Sequence, residues 1–224
     1  MSPSAFTLSF DELPLILPLF PLSSSTIMPG CQLPLNIFEP RYIRMIFDAM
    51  GHDRIIGLIQ PLNADDGDDP APSPAPVFKT GAAGRIISFS EAQDDRLLIV
   101  LAGMYRFDVL EELEPVREYR RARVDWSRFA EDGHHGKEIP HDRKRLFKVT
   151  REYFRRKGLD TNWEILEQMP AVLLVNFLCS QLPFSLAERQ ALIETVTPEE
   201  RLVRLLGFME FENAAAVLSN QRRH

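Results

Sequence analysis

The sequence predicts an α+β chain, β-rich through about residue 126 and helical from about residue 140, on three observations. Near the start, apolar runs are broken by prolines at short intervals, in Leu15-Ile16-Leu17-Pro18-Leu19-Phe20-Pro21-Leu22 and Leu33-Pro34-Leu35-Asn36-Ile37-Phe38. Each proline removes a backbone donor and clashes with the turn before it, so no continuous helix fits and short strands remain. Between Arg54 and Val124, β-type runs alternate with turn residues, whereas beyond Pro140 the apolar positions recur at helical spacing.

The first two apolar runs read as edge strands, where proline is tolerated, joined by a loop around Pro29-Gly30. Pro40 opens a helix to about Met50, with Tyr42, Ile43, Ile46, Phe47 and Met50 at helical spacing and Gly51 as its stop. Arg54 to Ile59 reads as a strand ending at Gln60-Pro61. Asn63 to Pro76 holds Asp65, Asp66, Asp68, Asp69 and four prolines, too polar and stiff to pack, so a mobile loop is expected. Thr80 to Ser90 and Arg96 to Leu101 form a hairpin around Ala92 to Asp95, and Tyr105 to Glu111 and Tyr119 to Val124 continue the meander. Leu97 to Leu101 is apolar without alternation, which predicts a strand covered on both faces.

In the helical part, Leu146, Val149, Tyr153 and Phe154 share a face and Gly158 is the stop. Pro170 opens an apolar helix through Leu178 that Pro183 closes. Ser185 with Glu188, and Thr197 with Pro198 and Glu200, form two capping boxes, each a side-chain acceptor and a carboxylate placed on free amides. The last helix carries Leu202, Leu205, Leu206 and Met209 on one stripe, giving about four helices. A boundary between Trp126 and Pro140 divides the chain into domains at residues 10–126 and 140–220.

With 45% hydrophobic and 26% charged residues, the 224-residue chain has an ordinary globular composition and no apolar run near the roughly 20 residues of a membrane helix. Met1 to Ala5 lacks the basic and apolar regions of a secretory signal, so a cytoplasmic location is expected, with Cys31 and Cys179 as thiols. The net charge of −6 argues against a wholesale polyanion binder. Two stretches are nonetheless basic: Arg117, Arg120, Arg121, Arg123 and Arg128, then Arg143, Lys144, Arg145, Lys148, Arg151, Arg155, Arg156 and Lys157.

Catalytic chemistry finds no foothold. No phosphate loop exists, since Gly136-Lys137 is followed by Glu138, and Ser23-Ser24-Ser25 lacks a nucleophile elbow and a base. The acidic Asp65 to Asp69 run lacks the spacing of a calcium loop, and His134, His135 and His141 around Glu138 lack cysteine and helical spacing for zinc. No cofactor, no metal and no enzymatic activity are expected.

The opening words, with Met28-Pro29-Gly30 and Glu39-Pro40-Arg41-Tyr42, resemble the amino-terminal substrate-binding domain of the Lon proteases, which also occurs free-standing and within cereblon. The resemblance continues in order through Gly57-Leu58-Ile59-Gln60-Pro61, Thr80-Gly81-Ala82-Ala83-Gly84-Arg85-Ile86, Asp95 to Gly103, Tyr105-Arg106-Phe107 and Tyr119 to Val124. It ends in Leu182-Pro183-Phe184-Ser185, Glu188-Arg189-Gln190 and Arg201-Leu202, so it spans about Leu13 to Leu206. It implies an amino-terminal PUA-like mixed β-barrel packed with a carboxy-terminal helical bundle. It also implies a non-catalytic protein that recognises unfolded or damaged polypeptides, with a protease or chaperone as a further partner and no membrane partner. Such recognition needs an exposed apolar groove or a free strand edge, and a cleft between barrel and bundle is the natural place for one.

Within that resemblance, Phe38, Glu39, Arg41, Tyr42, Arg106 and Phe107 are the candidate binding residues. The alternative reading pairs Glu39 with Arg41 or Arg106 across the barrel and buries the phenylalanines. RNA binding through the basic stretches is the rival function, because PUA-like barrels also serve on RNA. The acidic total and the lack of aromatics interleaved with the arginines stand against nucleic acid.

Overall fold

The computed structural model describes residues 8–62, 75–92, 94, 96–134, 136–140 and 142–221, with side chains through residue 214. The loop expected at Asn63 to Pro76, with its acidic run, lies almost wholly outside the described residues, as do His135 and His141. The chain divides into two compact units, residues 1–135 and 136–224.

The first unit runs β1 (Ile16–Pro21), β2 (Gln32–Ile37), α1 (Pro40–Met50), β3 (Ile55–Ile59), β4 (Thr80–Glu91), β5 (Leu97–Val116) and β6 (Tyr119–Asp125), closed by 3-10 turns over Ser127–His134. The strand order is β2-β5-β4-β3-β1-β6, and β6 pairs in addition with β5. Followed from β5 through β4, β3, β1 and β6, the pairing therefore returns to β5, while β2 is appended to the first half of β5. Among the described strand pairs only β1–β3 is parallel.

Contrary to the sequence expectation, β1 is not an edge strand. Its prolines are accommodated by stagger: Pro18 pairs with Arg121 of β6 before the β3 pairing begins at Leu19, and Pro21 pairs with Ile59 of β3 after the β6 pairing has ended. Each proline thus faces one neighbour strand, and its missing N–H breaks no second ladder.

Adjacent residues feed two cores. Leu17, Leu19, Ile55, Ile59, Ala83, Phe107, Ala122, Val124 and Trp126 form one, drawn from the five ring strands and their exit. Phe20, Ile56, Leu58, Ala82, Ile86 and Leu101 turn the other way and pack with Tyr42, Met45, Ile46 and Ala49 of α1 and Leu33 and Ile37 of β2. All five residues of β3 are consequently buried. The two-faced burial expected for Leu97 to Leu101 belongs to β3 instead, since in β5 Leu98 is 48% exposed and the strand alternates.

β5 also runs unbroken for 20 residues through Gly103, where a gap between two strands was expected. One extra β5 residue is inserted there, between the Ala82–Arg106 and Gly84–Gly103 pairs, and bends the strand as bulges do. Gly103 is needed for close approach, because a Cβ would collide with the Met28 carbonyl.

The second unit holds α2 (Arg143–Lys157), α3 (Trp163–Gln168), α4 (Ala171–Gln181), α5 (Leu186–Glu194) and α6 (Pro198–Gln221). These are five helices among the described residues where about four were expected. The added one, α3, is six residues long and capped by Asn162, which accepts from the Glu164 and Ile165 amides. Asp142 caps α2, and Gly158 ends it with φ 66°. The Ser185 capping box is complete: the Glu188 amide donates to Ser185 Oγ at 3.3 Å and the Glu188 carboxylate accepts from the Ser185 amide at 2.8 Å. Ser185→Ala should lower stability by about 1 kcal/mol, read as an earlier urea midpoint at unchanged slope. No helix among the described residues is long and apolar enough to cross a membrane.

Candidate functional site

The six candidate residues separate by burial. Arg106 and Phe107 are wholly enclosed. Arg106 Nε and Nη2 donate to Asp132 at 2.8 and 2.7 Å, its backbone amide donates to the same carboxylate at 3.0 Å, and its guanidinium lies 4.2 Å over the Phe129 ring. Phe107 stands edge-on to Trp126 at 5.7 Å, with Gly57 and Gly81 leaving room for its ring. Both therefore hold the strand ring together and present no surface to a ligand. The sequence reading missed Asp132, which sits in the stretch taken as a linker.

Phe38, Glu39 and Arg41 come together at the surface where β2 passes into α1. Phe38 is 65% exposed. Glu39 is the N-cap residue of α1 and accepts from Arg41 Nε at 2.9 Å, so its partner is Arg41, two residues on, and not Arg106. Tyr42 points inward, its ring 4.4 Å from that of Phe20, with the Arg41 guanidinium 4.6 Å over its outer face. One turn further along α1, Phe47 is half exposed and meets Phe89 of β4 edge-on at 5.8 Å. Helical spacing put Phe47 on the apolar stripe of α1, and that stripe is wider than the core beneath it. Ile37 pairs with Leu97, which puts Phe38 at the same end of the sheet as exposed Leu98.

The free strand edge here is that of β2. Gly103 donates its amide to the Cys31 carbonyl at 2.8 Å, so by antiparallel alternation Leu33, Leu35 and Ile37 turn their amides to β5 while Gln32, Pro34 and Asn36 face away. Pro34 has no donor to offer, which blunts this edge for addition of another strand.

At the other end of α1 a cavity of about 450 Å³ is lined by Ile16, Pro18, Ile55, Val116, His52 and Arg121. Asp48 on its wall accepts from Arg117 at 2.7 Å and from the Tyr119 hydroxyl at 2.9 Å. Burial raises the Tyr42, Tyr105 and Tyr119 hydroxyls above the usual phenol range, and in the second unit it pushes Tyr153 up to about 12, with Glu212 and Glu188 adding to the effect. These phenols stay protonated at neutral pH. Among the described residues no three His, Cys, Asp or Glu side chains converge to hold a metal, and His134 pairs with Glu131 at 3.4 Å.

Both basic stretches are largely neutralised within their own units. In the first, Arg117 pairs with Asp48, Arg120 with Glu112, Arg123 with Glu111 and Arg128 with Asp108. In the second, Arg145 pairs with Glu210, Arg151 with Glu167, Arg155 and Arg156 with Glu152, and Lys157 with Glu212, while Arg143 donates to the carbonyls of Glu167 and Met169.

A closed circuit of strand pairings with one packed helix, followed by a separate helical unit, defines a mixed α+β chain of the kind found in Lon amino-terminal domains. The Lon N-terminal domain protein from Xanthomonas campestris superposes with a TM-score of 0.63 at 25% identity, over 87% of this chain and 98% of that one. The N-terminal domain of Mycobacterium avium complex Lon protease shares the fold, with a TM-score of 0.56 at 14% identity. The chain belongs to the family described as the ATP-dependent protease La (LON) substrate-binding domain, whose model matches residues 16–210. It is 26% identical over 225 aligned positions to Lon protease 2 of Myxococcus xanthus, covering 94% of this chain and 25% of that protein. The figures for the Lon protease of Flavobacterium johnsoniae are 26% identity, 94% and 26%. The chain thus spans about a quarter of the length of these curated relatives.

Proposed function

We propose that this chain is a non-catalytic polypeptide-recognition domain that binds unfolded or damaged chains in the cytoplasm and serves a protease or chaperone, and that its ring of strands is a PUA-like barrel. Membership of the Lon substrate-binding family supports the reading, and the observation that carries it is the exposure of two aromatic side chains, Phe38 just before α1 and Phe47 on it, with the Glu39–Arg41 pair at the start of that helix. Phe38, Glu39 and Arg41 act as contacts, whereas Tyr42 supports them from below. A mostly apolar surface captures bulky side chains that folded proteins keep inside.

Fluorescence anisotropy with a permanently unfolded, labelled protein tests this. Binding should persist from low to moderate salt, because apolar burial is not screened as ion pairing is. The Phe38→Ser, Phe47→Ser double variant should bind about tenfold more weakly, roughly 1.4 kcal/mol. Tight RNA binding with a steep salt dependence, and none to the unfolded protein, would replace this reading with the nucleic-acid one.

A further inference from the structure

The outer face of α6 carries apolar residues that the second unit leaves uncovered. Val203 and Phe211 expose 71% and 73% of their surfaces and lie about 12 Å apart along the helix. They are not the fringe of the core stripe, which Leu202, Leu205 and Met209 already supply. Between them lies Gly207. Glycine weakens a helix interior relative to alanine, yet a Cβ here would meet nothing within 4 Å, so packing within the unit gives no reason for its presence.

At the start of the same helix, Val203 joins Val196 in an open groove of about 660 Å³ whose other walls are Glu194, Thr195, Glu199, Glu200 and Arg204. Arg204 donates to the Ala191 carbonyl at 3.3 Å. Glu199 and Glu200 have a local reason to be in a first helical turn, where the dipole favours them, so acidity alone identifies nothing. Glu194 already accepts from the Gln190 side-chain amide at 2.8 Å. Joined to a notched apolar track, however, Glu199 and Glu200 against one guanidinium set the charge of what fits.

We infer that this face of α6 docks a basic amphipathic helical segment of another polypeptide. Bulky apolar side chains of that segment cover Val196, Val203 and Phe211, its backbone approaches over Gly207, and its lysines or arginines face Glu199 and Glu200. A second copy is the poorer occupant, since two such faces would set like charges against each other. The chain's own basic helix α2 is already engaged, with its arginines on Glu152, Glu167 and Glu210. This inference goes beyond the proposed function and concerns the other unit.

The probe is a labelled 18-residue peptide with leucines at helical spacing and lysines elsewhere; its control carries glutamates in place of lysines. Both are titrated by anisotropy into the full chain and into the Phe38→Ser, Phe47→Ser variant, so that failure at either surface is read separately. The lysine peptide should bind both proteins, weaken several-fold in high salt, and lose about tenfold or more with Val203→Ser combined with Phe211→Ser, with Gly207→Gln, and with Glu199→Lys. The thermal midpoint should stay near wild type for the Val203→Ser, Phe211→Ser change, rise somewhat for Gly207→Gln, which removes a helix-weakening glycine, and fall slightly for Glu199→Lys, which reverses a favourable first-turn charge. The inference is overturned if the lysine peptide does not bind or binds the α6 variants like wild type. It is equally overturned if the glutamate peptide binds as well, or if sedimentation shows self-association that the Val203→Ser, Phe211→Ser change abolishes.

Discussion

Asp132→Ala should destabilise the first unit by about 3–5 kcal/mol, the cost of leaving a buried guanidinium without its counter-charge. Arg106 has no exposed surface, and Asp132 receives three of its N–H groups, two from the side chain and one from the backbone. Removing the carboxylate takes this acceptor from all three at once. Asp132→Asn keeps an acceptor for the backbone amide but loses the charge, so its loss should be smaller. The double change Arg106→Met, Asp132→Leu removes both charges and should recover part of the loss. It cannot recover all of it, because the residue 106 amide still lacks the acceptor that Asp132 supplied. Urea unfolding of the four proteins at constant pH gives the comparison. A loss below about 1 kcal/mol in Asp132→Ala would mean that other groups or water take over the guanidinium.

What was legible in the sequence was local. The α1 start at Pro40, the Ser185 and Thr197 caps and the Gly158 stop could be read because each is the effect of one residue type on backbone within four residues. Strand partners could not, since pairing depends on residues far apart. The stagger that makes Pro18 and Pro21 acceptable inside the sheet is visible only once β3 and β6 are placed on either side of β1. A strand covered on both faces was expected at Leu97 to Leu101, and that was wrong there, because Leu97 to Leu101 and Ile55 to Ile59 look alike in composition. Both strands place residues in the core beneath α1, and what decides between them is the second core, which takes in Ile55 and Ile59 and no residue of Leu97 to Leu101. α3 is too short to show a helical period, and its sole signal was Asn162 two and three residues before the amides it caps. In the candidate site, Phe38 was found because it lies in a family word. Phe47 escaped because exposed and buried apolar positions share one period on α1, and Asp132 because its partner lies 26 residues away.

Phe107→Ala should cost about 3–5 kcal/mol, the loss expected for a fully enclosed aromatic ring, while leaving affinity for unfolded polypeptide unchanged in the folded fraction. The ring occupies space that two glycines leave open. Cβ atoms at Gly57 and Gly81 would come within 2.8 and 2.7 Å of its Cζ, so residues on β3 and β4 are matched to this one side chain on β5. Substitution from the opposite side should also destabilise: Gly81→Ala forces the ring and the Leu58 carbonyl apart, at about 1–3 kcal/mol. Because the loss in Phe107→Ala is largely an unfilled cavity, a methyl group added at Gly57 should offset part of it. The Gly57→Ala, Phe107→Leu pair should therefore be more stable than the sum of its single changes. These measurements also separate the two roles the sequence allowed for Phe107. A contact residue would weaken unfolded-protein binding without moving the urea midpoint, and a packing residue does the reverse. Anisotropy on Phe107→Ala at low temperature, beside its unfolding curve, distinguishes them; a large loss of affinity in protein that is still folded would return Phe107 to the binding surface.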